Sequence, residues 1–233
     1  MCLSKSFHSD RSQVLAGIIN RHIKELGVRT FLDIGAGDGQ VAITVLSQIS
    51  RYLAIEQDPL ECDLLRLAAL DVINARFPVE VNEQFDLVLS SYSMPEDLQL
   101  YEPFLAQAWK LVAPSGRLLI ITSKRPESSI IQLSEKLLDR KYKADRRHAA
   151  ITNILNAYGS VAIADERSHV QTADFSDIAE IFGSYFWSTS EQELENKPQL
   201  QELMETTFKH EGRYRVAMPH WVIAVTKEGP GGR

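Results

Sequence analysis

The sequence predicts an α/β fold built on a largely parallel sheet. Short apolar runs alternate with stretches of helical periodicity along the first half of the chain, a pattern typical of such folds. One apolar run leads directly into a turn with three glycines, the arrangement with which open α/β sheets bind ligands. The 233 residues fit one domain, because single hydrophobic cores stop growing at about 250–300 residues.

Predicted elements follow one another closely up to residue 122. An amphipathic helix spans residues 9–26 and ends at Gly27. The hydrophobic pattern then predicts strand, helix, strand, helix, strand, strand, helix and strand at 30–34, 40–50, 52–56, 59–70, 72–75, 85–90, 101–112 and 117–122.

The second half of the chain is less regular. It predicts one or two helices within 128–158, a strand at 161–164, helices from Asp174 and at 198–209, and a final strand at 221–226. The segment from about 172 to 218 is too long for a plain loop, so we expect a late insertion that forms a lid or substrate wall. We assign residues 1–228 to a single domain, with 1–28 as an N-terminal helical cap and 229–233 as a flexible tail.

Composition and charge exclude several classes of protein. Apolar residues make up 44% and charged residues 24%, which indicates a globular chain rather than a disordered or collagen-like one. The net charge of −6 disfavours general binding of nucleic-acid backbones. No apolar run approaches the roughly 20 residues that cross a bilayer, and the first ten residues lack the apolar core of a signal peptide.

The cysteines and other potential ligands predict neither a metal site nor a disulfide. Cys2 and Cys62 are far apart, so they form neither a disulfide framework nor a thiolate zinc site. We therefore expect free thiols in a reducing, cytoplasmic environment. No His, Asp or Glu cluster has metal-ligand spacing, so we predict no metal.

The glycine turn distinguishes between two classes of cofactor. Its glycines stand at 35, 37 and 39, whereas a dinucleotide loop has G-x-G-x-x-G and would need its third glycine at Gln40. Asp33, just before the turn, would repel a pyrophosphate but could orient a cationic amine. Glu56 ends the next strand, where a carboxylate can accept both hydroxyls of a ribose. Both classes of cofactor carry a ribose, so the glycine spacing separates them and Glu56 does not.

These motifs resemble those of the class I S-adenosylmethionine-dependent methyltransferase family. Leu32-Asp-Ile-Gly-Ala-Gly-Asp-Gly39 is similar to the first motif of that family, and Ile55-Glu56 to its second. Phe85-Asp-Leu-Val-Leu-Ser-Ser91 resembles its fourth-strand motif, and Leu111–Thr122 its turn and fifth strand. The four motifs occur in order and cover about residues 12–123.

The resemblance implies a Rossmann-like methyltransferase fold, a doubly wound, mostly parallel sheet of seven strands with an antiparallel last strand. It places the methionine part of the cofactor against Gly35, Ala36, Gly37 and Gly39, the ribose on Glu56 and the adenine by Gln57. The backbone of Ser90 and Ser91 would face the methionine amine and the reaction centre.

The chain departs from the family in three places. The segment Asn74–Phe77 has no acidic residue to accept from the adenine amino group, although Phe77 could pack on the adenine. Ser115 stands where the family favours glycine, and we expect Gly116 to supply the positive φ of that turn. Ser90-Ser-Tyr-Ser-Met94 replaces the Asn-Pro-Pro-Tyr type of sequence found in family members that act on nucleobase or amide nitrogen.

The resemblance and the acidic charge together predict methyl transfer from S-adenosylmethionine to a small-molecule acceptor. Four residues are candidates for binding the acceptor, and each has a plainer alternative: Tyr92 as a packing tyrosine, His8 as an exposed terminal histidine, and Tyr185 and Trp187 as a core-facing patch. We assign no catalytic residue.

Three other functions stay open. The basic stretch at 140–147 would suit an RNA or protein methyltransferase, although a solvated helix face is the better explanation of it. An NAD-linked oxidoreductase is disfavoured by Gln40. A methyltransferase-fold binding subunit without activity would have no physical need for the glycines or for Glu56. Oligomeric state is left undetermined.

Overall fold

The computed structural model describes residues 8–124, 146–177 and 190–229, together with Gln132 and Glu135. The described residues divide into two compact units. The larger unit takes in 12–123, 146–166 and 221–229, and the smaller unit takes in 8–11, 124, 167–177 and 190–220.

Six helices and nine strands are defined within the described ranges. In chain order they are β1 (His8–Ser9), α1 (Arg11–Leu26), β2 (Thr30–Ile34), α2 (Gln40–Val45), β3 (Arg51–Glu56), α3 (Pro59–Leu67), β4 (Asp71–Asn74), β5 (Phe85–Ser91), α4 (Tyr101–Lys110), β6 (Val112–Ser123), α5 (Arg147–Leu155), β7 (Val161–Thr172), α6 (Ser190–Phe208), β8 (Lys209–His210) and β9 (Arg213–Thr226). Short 3-10 helices follow α2 at Leu46–Gln48 and precede α4 at Leu98–Leu100. No helix among these described residues is long and apolar enough to cross a membrane.

Seven strands follow one another in the order β7-β9-β6-β5-β2-β3-β4. The pairs from β6 to β4 are all parallel. β9 runs antiparallel to β6, because the residue after the end of β9 contacts the first part of β6: Lys227 N–H donates to Gly116 O. The Arg117 side chain also donates to the Thr226 hydroxyl. The predicted doubly wound, mostly parallel sheet is confirmed.

Apolar side chains cover both faces of the sheet in the larger unit. Because side chains alternate along a strand, Leu32 and Ile34 of β2 face one hydrophobic cluster and Phe31 faces the other. The first cluster includes buried residues of α4 and α5, and the second includes buried residues of α1, α2 and α3. Asp33 also lies on the second side, and this alternation determines its surroundings.

The smaller unit holds the paired ends of several strands. β1 pairs antiparallel with the end of β7, where His8 stands opposite Gln171, and β8 pairs with the start of β9. Asp174 accepts a hydrogen bond from Ser176 N–H at 2.8 Å, as expected of a helix cap. The predicted insertion at 172–218 contains α6 and β8, and its role as a lid stays a prediction.

The structure corrects several predicted boundaries. α2 ends at Val45 and α3 at Leu67, earlier than the apolar pattern predicted. The strand predicted at 161–164 continues through the charged residues 165–167, and β7 ends only at Thr172. β9 begins at Arg213, and α6 begins at Ser190 rather than at its internal proline.

The predicted conformation of the turn before the fifth strand is wrong. Ser115, not Gly116, adopts the positive φ, at 65°. Glycine is required at 116 for a different reason. A Cβ atom there would stand 2.8–3.0 Å from the carbonyl oxygens of Asp86, Ala113 and Phe85, which are backbone atoms that cannot rotate away.

Gly116→Ala is expected to lower the free energy of unfolding by about 1–3 kcal/mol, the usual cost of forcing extra atoms into a packed site. Gly17→Ala is the matched control, because a Cβ atom at that helical position would meet nothing within 4 Å. The control should raise stability by about 0.5–1 kcal/mol. Urea unfolding followed by circular dichroism measures both, and equal effects of the two substitutions would contradict the steric account.

Candidate functional site

A pocket of about 430 Å³ opens at the carboxyl ends of β2, β3 and β5 in the larger unit. The chain continues from β2 to β3 on one side and returns as β5 on the other, so this edge is the switch point of the sheet. Ligands of open α/β sheets bind at such points. The pocket is lined by residues 34–35, 55–57, 75–77, 92–96 and Phe104.

Gly35 allows two loops to meet at the pocket. It has φ 73°, and a Cβ atom there would lie 2.3 Å from Cβ of Ser93. Its N–H donates to Ile55 O at 2.7 Å, which holds the glycine turn against β3. Any side chain at position 35 would therefore push apart the glycine turn and the loop after β5.

Glu56 joins the glycine turn to the loop after β3. One carboxylate oxygen accepts from Gly37 N–H at 2.9 Å and the other from Asp58 N–H at 2.8 Å. Each oxygen has a second lone pair and so keeps acceptor capacity toward the pocket that Glu56 lines. The backbone oxygen of Glu56 accepts from Ala75 N–H and the Asn74 side chain, so its position is fixed on both sides.

Asp33 lies behind the glycine turn and outside the pocket lining. Its side chain is buried and accepts a hydrogen bond of 2.9 Å from the Tyr52 hydroxyl. The pKa of this carboxyl is raised to about 7, and burial is the largest cause. The hydrogen bond from Tyr52 offsets part of the increase, and the charge of Glu56 adds to it. A role for Asp33 toward a cofactor amine stays a prediction.

The loop after β5 forms the opposite wall. Ser90 is buried, and its hydroxyl lies 2.8 Å from that of Ser93, which also donates to Ile34 O. Tyr92 lines the pocket with φ 60°, an uncommon conformation for a bulky residue. Its N–H donates to Ile121 O at 2.9 Å, which anchors the turn to β6. Strained backbone of this kind occurs often at ligand sites.

An aromatic pair forms another part of the lining. Phe77 packs edge-on against Phe104, with ring centroids 4.9 Å apart. Arg76 beside it also lines the pocket. The segment 74–77 therefore contributes an aromatic ring and a cation to the pocket lining.

The structure brings together only part of the predicted site. Gly35, Glu56, Gln57, Phe77 and Tyr92 line the pocket. The other predicted cofactor residues belong to the adjoining turns and strand ends without lining it: Asp33, Ala36, Gly37, Gly39, Ser90 and Ser91.

The remaining predicted residues lie elsewhere. His8 belongs to the smaller unit, where it pairs with Gln171. Tyr185, Trp187 and most of the basic stretch, at 140–145, lie outside the described residues.

Sequence reasoning missed Ser93, Arg76 and Glu96 as lining residues. Arg76 belongs to the segment Asn74–Phe77, but an arginine at this position matches no motif of the methyltransferase family. For Ser93, the available signal was its position three residues after Ser90 in the loop that ends β5.

No family model matches the sequence, and no curated protein matches it either. Solved structures do match. The YcgJ protein of Bacillus subtilis has 15% identity and a TM-score of 0.57, over 91% of this chain and 97% of that one. Precorrin-6y C5,15-methyltransferase of Geobacter metallireducens has 13% identity and a TM-score of 0.54, over 91% and 87%.

The N-methyltransferase NodS of Bradyrhizobium japonicum, solved with S-adenosylhomocysteine, has 13% identity and a TM-score of 0.52, over 94% of this chain and 86% of that one. These likenesses extend over nearly the whole chain. The chain therefore has the fold of these methyltransferases, as its motifs implied.

Asp33→Asn is expected to remove a pH dependence of stability. An unfolded aspartate titrates near 3.9, so between pH 4 and 7 the native state keeps a proton that the unfolded state has lost. The contribution of Asp33 to stability is therefore lost as pH rises through this window, at up to about 1.4 kcal/mol per pH unit. The free energy of unfolding of the Asn variant, relative to the wild type, should therefore increase as the pH rises from 4 to 7, and urea unfolding at several pH values measures it.

Tyr52→Phe is the control for that experiment. It removes the hydrogen bond that lowers the pKa of Asp33, so the pKa should rise further. The pH range over which the free energy of unfolding falls should therefore extend to higher pH. A pH profile unchanged by both substitutions would show that Asp33 does not titrate in this range.

Proposed function

We propose that this protein is a methyltransferase that transfers a methyl group from S-adenosylmethionine to a nucleophilic atom of a small molecule. The observation that carries the proposal is the carboxylate of Glu56, which is fixed by the glycine turn and turned to the pocket at the switch point of a methyltransferase-fold sheet. The pocket volume of about 430 Å³ lies within the usual range for small-molecule sites.

The proposed cofactor would extend from the pocket to the adjoining glycine turn. Glu56 would accept the ribose hydroxyls, with Gln57 and Phe77 beside the adenine. The methionine part would lie along the turn from Gly35 to Gly39, with its amine toward the backbone of Ser90 and Ser91. A Cβ atom at Gly37 would meet nothing within 4 Å, so that side of the turn is open to a ligand.

In this reaction the main task of the protein is to align the acceptor with the methyl group, and acid–base catalysis is secondary. S-adenosylmethionine supplies an activated methyl carbon, which an acceptor attacks in line. The pocket would hold the reactants in contact, and such orientation can lower a barrier by about 7–11 kcal/mol. The Tyr92 hydroxyl is proposed to orient the acceptor, and His8, Tyr185 and Trp187 are further candidates. A general base is required only for an acceptor that is protonated at neutral pH.

Two observations support a small-molecule acceptor: the names of the structural neighbours and the net charge of this chain. One neighbour is named for methylating precorrin-6y, and another is an N-methyltransferase solved with S-adenosylhomocysteine. The net charge of −6 works against a nucleic-acid substrate. Cys62 is a buried free thiol, which supports the cytoplasm as the location.

Calorimetric titration is expected to show one-to-one micromolar binding of S-adenosylhomocysteine and none of NAD. Glu56→Gln should weaken that binding about 10- to 100-fold, because a hydrogen bond to a charged group contributes about 1.5–3 kcal/mol. Binding of NAD alone would overturn the proposed cofactor. Salt-dependent affinity for RNA would instead favour the alternative of an RNA methyltransferase.

Gly35→Ala is expected to weaken binding of S-adenosylhomocysteine by about tenfold or more, because the new Cβ atom would displace the Ser93 loop. Adding Ser93→Gly removes the two side-chain atoms nearest to that Cβ and should recover part of the affinity. The same titration measures both variants, with circular dichroism as a check of folding. Wild-type affinity of the single variant would refute the role of this contact.

A further inference from the structure

Helix α3 carries a second apolar face, which is exposed in the part of the chain that the structure describes. Its inner face buries Cys62 and Leu65 in the core. Its outer face presents Leu60, Leu64 and Leu67, which are 76%, 51% and 84% exposed. We call these three residues the leucine stripe.

The leucine stripe has the spacing of an interacting helix. Residues separated by four and then three positions lie on one side of an α-helix, and the stripe extends along about 10 Å of the axis. Ile43 of helix α2 and Leu46 of the 3-10 helix that follows it are further exposed apolar residues on the side of the sheet that α3 covers. Contiguous exposed apolar surface of this kind marks interaction sites.

Charges beside the leucine stripe indicate what covers it. Asp63 and Arg66 lie on one flank of α3, both exposed, and form an ion pair of 2.9 Å along the helix. In two antiparallel helices related by a two-fold axis, the same flanks face each other. Pairing around Leu64 would therefore bring Leu60 toward Leu67 of the other copy and Asp63 toward Arg66.

We propose that α3 forms an antiparallel, two-fold symmetric interface with α3 of a second copy of this chain. The leucine stripe forms the apolar centre and the Asp63–Arg66 flank forms the polar rim, an arrangement usual for protein interfaces. The acidic groups Asp58 and Asp63 make an anionic lipid surface an unsuitable partner for this face. The interface adjoins the pocket through the loop that carries Gln57 and Asp58, but it does not depend on the proposed reaction.

Sedimentation velocity over a range of protein concentrations tests the proposal on the full chain. The wild type should reach twice the monomer mass, and Leu64→Glu should raise the dissociation constant at least about tenfold by burying a charge at the centre. Ile163→Glu is the matched control, because Ile163 is a comparably exposed apolar residue outside the leucine stripe, and it should leave the dimer intact.

A charge exchange gives a second, independent measurement. Arg66→Asp places like charges on facing flanks and should weaken the dimer, whereas the double variant Asp63→Arg/Arg66→Asp restores complementarity and should recover it. These sites are exposed, so folding is retained. A monomeric wild type, equal loss from Ile163→Glu, or no recovery in the double variant would each overturn the interface.

Discussion

The pocket depends on one carboxylate that joins two backbone loops. Glu56 accepts from Gly37 N–H on the glycine turn and from Asp58 N–H at the start of α3. Because both hydrogen bonds end on one carboxylate, they fix the distance between the two loops. The same group therefore holds the wall of the pocket in place and keeps acceptor capacity toward the pocket.

The glycine turn supports this arrangement from the other side. Gly35 lets Ser93 approach, and a Cβ atom at Gly39 would lie 2.8 Å from Leu65 Cδ2 on the inner side of α3. The turn is thus in contact with the loop after β5 and with α3. Its conformation is set by neighbours distant in sequence as well as by its own backbone preferences.

Sequence patterns predicted the parallel strands well because each is an apolar run bounded by glycine, proline or polar residues. They failed where pairing with a neighbouring strand carries a strand through polar residues, as in the charged part of β7 and the part of β9 before Pro219. The motif residues Gly35 and Glu56 were found because their chemistry is local. Ser93 was missed because its importance arises from contact with Ile34, 59 residues away in the sequence. Ser115 shows that the residue beside a glycine can adopt the positive φ instead of the glycine.

The buried Asp33 has a consequence for the heat of ligand binding. A carboxyl group with a pKa of about 7 can gain or lose its proton near neutral pH. A ligand that brings positive charge to the glycine turn lowers this pKa and expels part of a proton, which the buffer must absorb. The apparent enthalpy of binding then includes the ionisation heat of the buffer, and a sulfonium ligand should release more protons than a neutral thioether.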